Sequence, residues 1–221
     1  MVKKFTIYGE RCSGTNFLMH AILTNFNIEF TSKYSWKHFF GNYNFENNEE
    51  EDETLFIGIV RNPIEWIDSF YKKMHHVPSE NRLNINTFLF NTFYSIYEDT
   101  KTEIMEDRNI ITKEKYKNIF ELRYIKNDFL INTMKVKVKN YILIRYEDLR
   151  DNYNNILNFL CNRFNLSKKY DLYIKISNYK GIKNYTYEKK AIKLRQYAIK
   201  SIINNVNIEQ EKSIGYLVNK N

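Results

Sequence analysis

The chain has 221 residues, a formal net charge of +8, 43% hydrophobic residues, two prolines and two cysteines. That length supports one α/β domain with a substantial core and is short for two, and the composition excludes a disordered chain. Two cysteines, Cys12 and Cys161, make no disulfide or metal framework and suit a reducing compartment; the charge fits an anionic partner, but a chain-wide bias towards lysine and asparagine produces the same excess and decides nothing.

The chain starts close to its first strand, with no cationic-then-apolar leader and no apolar run long enough to cross a bilayer, so a soluble, cytoplasmic protein is expected. Lys4–Tyr8 reads as a short buried parallel strand ending at Gly9. Phe17, Leu18, Ala21, Ile22 and Phe26 then recur at helical spacing and predict a helix from about Thr15 to Asn25. A second short strand is expected within Asn27–Thr31, followed by the aromatic segment Tyr34–Phe40. The acidic run Glu46–Glu53 reads as a solvated loop.

Leu55–Val60 is a near-continuous apolar run, the signature of a central strand covered on both faces. Arg61-Asn62-Pro63 follows, and proline suits the first turn of a helix whose stripe is Ile64, Ile67, Phe70, Tyr71 and Met74, with Pro78 as its stop. Residues 78–133 are less regular and predict helices rich in Phe and Tyr. Tyr141–Arg145 is another core strand. Asp151 or Asn152 caps a helix with Ile156, Leu157, Leu160, Cys161 and Phe164 on its face, and a last helix is expected near Lys189–Ile203. Strands alternating with helices predict a single three-layer α/β domain over residues 1–221 with a mainly parallel sheet.

The loop Gly9–Asn16 carries two glycines at the spacing of a nucleotide P-loop, G-x-x-x-x-G-K-[ST]. Thr15 stands where the lysine belongs and Asn16 where the magnesium-binding hydroxyl belongs. Its amides at a helix start suit a phosphate, with Arg11 adding charge and the Thr15 hydroxyl a hydrogen bond; the plain alternative is a tight strand-to-helix turn. A phosphatase motif, C-x-x-x-x-x-R from Cys12, fails because Leu18 holds the arginine position. Arg61 and Ser69 make a second candidate, an arginine fork with a hydroxyl for a terminal phosphate; its alternative is a surface pair with Glu65. Ligands of open parallel sheets sit at the carboxyl ends of strands, so the loop and Arg61 should share one rim.

Together these motifs resemble the sulfotransferases that use 3′-phosphoadenosine-5′-phosphosulfate (PAPS). In that family a P-loop-like loop after the first strand holds the 5′-phosphosulfate, and R-x-P-x-x-x-x-x-S-x-Y binds the 3′-phosphate; Arg61, Pro63, Ser69 and Tyr71 match it in type and spacing. Tyr146-Glu-Asp-Leu149 is similar to the family's Y-E-D-L segment, and Ile214-Gly-Tyr216 is a weaker match to family C-termini. The resemblance implies a P-loop NTPase-like fold and metal-independent transfer of a sulfuryl group from PAPS to a hydroxyl acceptor (carbohydrate, tyrosyl or small molecule), leaving 3′-phosphoadenosine-5′-phosphate (PAP). It implies cofactor contacts from Gly9, Arg11, Cys12, Ser13, Gly14, Thr15, Asn16, Arg61 and Ser69. The late Lys180-Gly181 is similar to the family's cofactor loop, with Tyr179, Tyr185 or Tyr187 near adenine; a solvated basic loop reads as well.

In the family a histidine after an early strand deprotonates the acceptor, and Trp36-Lys37-His38 looks similar to that element. Imidazole titrates near neutrality, which suits a base; an aromatic-cluster histidine bonded to a backbone carbonyl is the alternative, and Glu10 is a rival base. Arg11, with Lys37, is expected to offset charge on the transferring group. Arg11 stands near the usual lysine but hardly deprotonates, so proton donation falls to Lys37 or lapses. Residues 78–133 are assigned to the acceptor side. His20, inside the first helix, reads as structural, His75-His76, at a helix end, read as a capping or loop pair, and no zinc set is apparent. The competing classes are a P-loop kinase or NTPase, disfavoured by Thr15 and by Arg61 in place of an acidic metal ligand, and a basic nucleic-acid module, disfavoured by scattered lysines and the lack of a reader motif.

Overall fold

The computed structural model describes residues 1–46, 48–179 and 182–217. Strands β1 (Lys4–Tyr8), β2 (Glu29–Phe30), β3 (Thr54–Val60) and β4 (Tyr141–Arg145) form one sheet in the order β2-β1-β3-β4, with every pairing parallel. All seven residues of β3 are buried, as an interior parallel strand requires. Side chains alternate between faces along each strand. Phe5, Ile7, Leu55, Ile57 and Ile59 therefore join one core, with Leu18 and Ile22 of helix α1 (Thr15–Asn25). Tyr8, Phe56 and Val60 join the other.

The short helix α2 (Glu49–Asp52) replaces the expected acidic loop. Asn48 caps it, and the buried Glu51 carboxylate accepts the Glu46 N–H, so one acid of the run is structural and not solvated. Helix α3 (Pro63–Lys72) packs Trp66, Ile67 and Phe70 on the second core, and Asn62 caps it by accepting the N–H groups of Ile64 and Glu65. It ends at Lys72, well before Pro78, and beyond it the Arg11 guanidinium donates to the His75 carbonyl at 3.1 Å.

Residues 78–133 are less helical than the sequence predicts. Helices α4 (Ile85–Phe90) and α5 (Ile119–Asp128) flank an irregular stretch pinned by the bridges Phe93–Tyr116 and Ile96–Glu103. The aromatic residues of 78–133 build core: Phe88 of α4 and Phe93 pack against Phe70 of α3, and Tyr116 is fully buried in the same cluster. A π-helical turn, Phe129–Thr133, continues α5 into α6 (Met134–Lys137).

After β4 come α7 (Tyr146–Asp151) and α8 (Tyr153–Phe164), where Leu157 and Leu160 are buried and the expected Asn152 side-chain cap does not form. A two-stranded antiparallel hairpin, β5 (Asn178–Tyr179) with β6 (Ile182–Lys183), precedes α9 (Gln196–Asn205) and α10 (Ile208–Ser213). Helix α9 starts later than expected because Asp68 accepts the Lys193 N–H, at 3.0 Å, and holds the preceding chain against α3. Among the described residues no helix is long and apolar enough to cross a membrane.

Candidate functional site

The chain leaves β1 towards β2 on one side of the sheet and leaves β3 towards β4 on the other. The carboxyl ends of β1 and β3 therefore flank the point where the strand order reverses, where open α/β sheets form a crevice. The Gly9–Asn16 loop follows β1 and Arg61 follows β3. Both border one cleft of about 380 Å³, and Ser69, Lys37 and His38 border it too.

Two glycines shape the loop. A side chain at Gly9 would lie 2.6 Å from the Ile59 carbonyl oxygen, so the loop passes β3 at a distance only glycine permits. Gly14 sits at φ +102° with the Tyr146 ring 2.4 Å from where a Cβ would stand. Cys12 adopts φ 64°, which turns the chain between them.

Not all of the loop amides are free. Gly9 donates to the Lys37 carbonyl (2.9 Å), Arg11 to the Glu10 carboxylate (2.7 Å) and Ser13 to the Glu10 carbonyl (3.1 Å). Among the described residues none accepts from the N–H groups of Gly14, Thr15, Asn16 and Phe17, and no side chain caps α1. The amides of the loop left without an acceptor among the described residues are thus those of the first turn of α1, at the positive end of its dipole, where an anion could be held. The Ser13 hydroxyl beside it is buried without a partner. Lys37 donates to the Asn16 side chain, which sets an ammonium at the helix start.

Arg61 and Ser69 stand on the second wall. Arg61 donates to the Cys12 carbonyl at 3.2 Å and to Glu65 at 3.3 Å, and its guanidinium lies 4.4 Å from the Tyr146 ring centroid. Its Nε is buried without a partner. The pair with Glu65 therefore exists alongside the cleft position, and Glu65 is shared with Arg150 at 3.3 Å. Ser69 hydrogen-bonds the Cys12 thiol, whose pKa is raised by burial. Glu147, in the Tyr146–Leu149 segment, accepts the Asn62 N–H (2.9 Å) and the Tyr216 hydroxyl (2.8 Å). This carboxylate ties the ends of β3, β4 and the chain's C-terminal segment together, and so fixes where Arg61 emerges.

His38 donates from Nδ1 to the Gly9 carbonyl at 2.7 Å, since a carbonyl only accepts. Nε2 then carries the lone pair. Burial holds the imidazole pKa down to about 3, against a smaller upward pull from the Gly9 bond and Glu10, so the ring is neutral at pH 7. The backbone-bonded aromatic-cluster histidine and the candidate base are one and the same: Trp36 lies edge-on to its ring at 5.6 Å.

Arg11 departs from expectation. Its side chain is 2% exposed and pairs with Glu10 (2.7 Å) and Asp107 (3.1 Å), donates to Ser95 Oγ (2.7 Å), and lies 4.7 Å from the Phe70 centroid. Its guanidinium is spent beneath the loop, not on an anion in the cleft, because two buried acids hold it there. Glu10 loses its standing as a base for the same reason: burial pushes its pKa up, but Lys126 and Arg11 outweigh that and hold it at about 2.

No residue of 78–133 lines the main cleft among the described residues; Arg82 and Glu98 border a shallow depression beside it with Lys72, Lys73 and His75. The region instead supplies the buried Ser95, Asp107 and Lys126. Tyr185 and Tyr187 line the cleft, and Tyr187 stacks on Phe17 with centroids 3.8 Å apart. Lys180 and Gly181 lie outside the described residues. Sequence reasoning missed Lys72, Lys73 and Tyr146 as cleft residues; helical spacing from Ser69 points to Lys72 and Lys73, while Tyr146 had no local signal. Among the described residues, no group of three or more His, Cys, Asp or Glu could hold a metal ion. No protein-family model matches the chain, and no curated protein is significantly similar to it.

Proposed function

We propose that the protein is a sulfotransferase that moves a sulfuryl group from PAPS to a hydroxyl acceptor on a P-loop-like fold. The observation that carries this reading is one cleft bordered by an uncapped helix start after β1 and by Arg61 and Ser69 after β3, over forty residues apart in sequence. The amides of Gly14–Phe17 and the Lys37 ammonium hold the 5′ end of the nucleotide. Arg61 and Ser69 hold its 3′-phosphate, and Tyr185 and Tyr187 offer ring faces for the base. His38 Nε2 takes the acceptor proton as the new O–S bond forms. The S–O bond to the 5′-phosphate breaks with its electron pair, and Lys37 with the α1 dipole offsets the charge left there. Without ligand His38 is a weak base; the bound anionic nucleotide favours imidazolium and so raises its basicity in the complex.

The test is a thermal-shift titration with PAP, its 3′-dephosphorylated analogue, ATP with magnesium, and an oligonucleotide. PAP is expected to stabilise best. Arg61→Ala should cost roughly 1.5–3 kcal/mol of PAP binding, about ten- to a hundredfold, and leave the dephosphorylated analogue nearly unchanged. Equal losses for both would refute the 3′-phosphate role. Stabilisation by ATP with magnesium alone would favour the kinase reading, and radiolabelled PAPS offered with sugar, tyrosyl-peptide and phenol acceptors reads transfer itself.

A further inference from the structure

Under the loop lie four fully or nearly buried charges: Glu10, Arg11, Asp107 and Lys126. They close a ring. Glu10 gives Oε1 to Arg11 (2.7 Å) and Oε2 to Lys126 (2.5 Å), while Asp107 gives Oδ2 to Arg11 (3.1 Å) and Oδ1 to Lys126. Two acids and two bases balance, so the ring is complete with those four contacts. Lys126 makes one contact more, donating to the His38 carbonyl at 2.7 Å. Charge balance does not require that bond. It joins α5 to the segment whose imidazole donates to Gly9, and Gly9 adjoins Glu10, which Lys126 also holds.

We infer that Lys126 is a positioning residue, fixing His38 by clamping both chain segments that its Nδ1–H···O bond joins. The ammonium braces the spacing of the 9–10 and 37–38 segments beside the direct bond from the Gly9 N–H to the Lys37 carbonyl (2.9 Å), and that spacing selects the tautomer that leaves Nε2 unprotonated. The tautomer claim stands on geometry alone; its consequence for turnover rests on the reading of His38 as the base.

Nitrogen-15 NMR of the imidazole rings tests it, with His38 assigned by its loss in His38→Asn. In the wild-type protein at neutral pH, His38 is expected as a single species protonated on Nδ1. The variant Lys126→Met combined with Asp107→Asn removes one charge of each sign and keeps the Glu10–Arg11 pair. There we expect a tautomer mixture, with kcat down on the order of tenfold to a hundredfold and PAP affinity within about threefold of wild type. Lys126→Arg, which keeps a donor cation, should recover part of the single-tautomer signal. An Nε2-protonated ring in the wild type, or an undisturbed Nδ1-protonated ring in the double variant, overturns the inference. If the wild-type protein transfers no sulfuryl group while the ring signals behave as stated, the clamp stands and the sulfotransferase reading falls.

Discussion

At the scale of single residues, His38 carries a pH signature that does not depend on any substrate. Its folded pKa, about 3, lies below the ordinary 6.5 because the surrounding protein desolvates the partly buried ring. The unfolded chain therefore binds more protons between those values, and stability falls as pH drops through that window. Glu10, held at about 2 against an ordinary 4.5, adds a second loss only at lower pH. Urea unfolding at a series of pH values separates them. His38→Asn should flatten the slope between pH ~5 and ~6 by about 1 kcal/mol per pH unit, and an unchanged slope would mean that the ring is not the desolvated neutral group described. His38 was legible in the sequence as a base candidate beside an aromatic run. Its partner was not, because the Gly9 carbonyl is 29 residues away and only the β1 edge brings it close.

Among elements, the loop between β1 and α1 depends on two glycines for different reasons. Gly9 is excluded from bearing a side chain by the β3 backbone, and Gly14 by both its φ of +102° and the Tyr146 ring. Gly14→Ala combines left-handed strain with a clash, and should cost about 2 kcal/mol or more. That is a drop in Tm of roughly 4–8 °C for a chain of this size, measurable by calorimetry; a change under about 1 °C would show that the loop shifts freely. Strand and helix bounds near the site were legible: Lys4–Tyr8, Thr15–Asn25 and Tyr141–Arg145 follow from periodicity and end signals alone. The acidic run and residues 78–133 were not. Glu51 is buried by a contact within α2's own surroundings, and the Phe- and Tyr-rich stretch is held by non-local bridges instead of a helical repeat.

Across the whole molecule, buried ion pairs join the site to distant chain segments. Arg123 of α5 pairs through both ends of its fork with Glu211 of α10 at 2.6 and 2.8 Å, and donates to the Arg61 carbonyl at 2.9 Å. Both side chains are nearly inaccessible. Arg123→Met strands a buried carboxylate and should cost about 3–5 kcal/mol. Adding Glu211→Leu should restore about 2 kcal/mol of it, leaving about 1–3 kcal/mol for the unpaired Arg61 carbonyl. Denaturant midpoints of the two variants decide this; equal losses would mean that packing, not the stranded charge, sets the cost.

By itself the sequence determined the alternation of strands and helices, the phosphate-loop spacing of Gly9 and Gly14, and the pairing in type of Arg61 with Ser69. These follow from local periodicity, backbone freedom and residue chemistry, which act over a few residues. Only the tertiary structure decided where the two cations near the loop lie. Arg11 and Lys37 look alike as nearby positive charges, yet Asp107 and Glu10 bury one while Asn16 holds the other at the helix start. The physical reason is that a charge goes where its counter-charges are, and those of Arg11 come from its chain neighbour and from a residue ninety-six positions away.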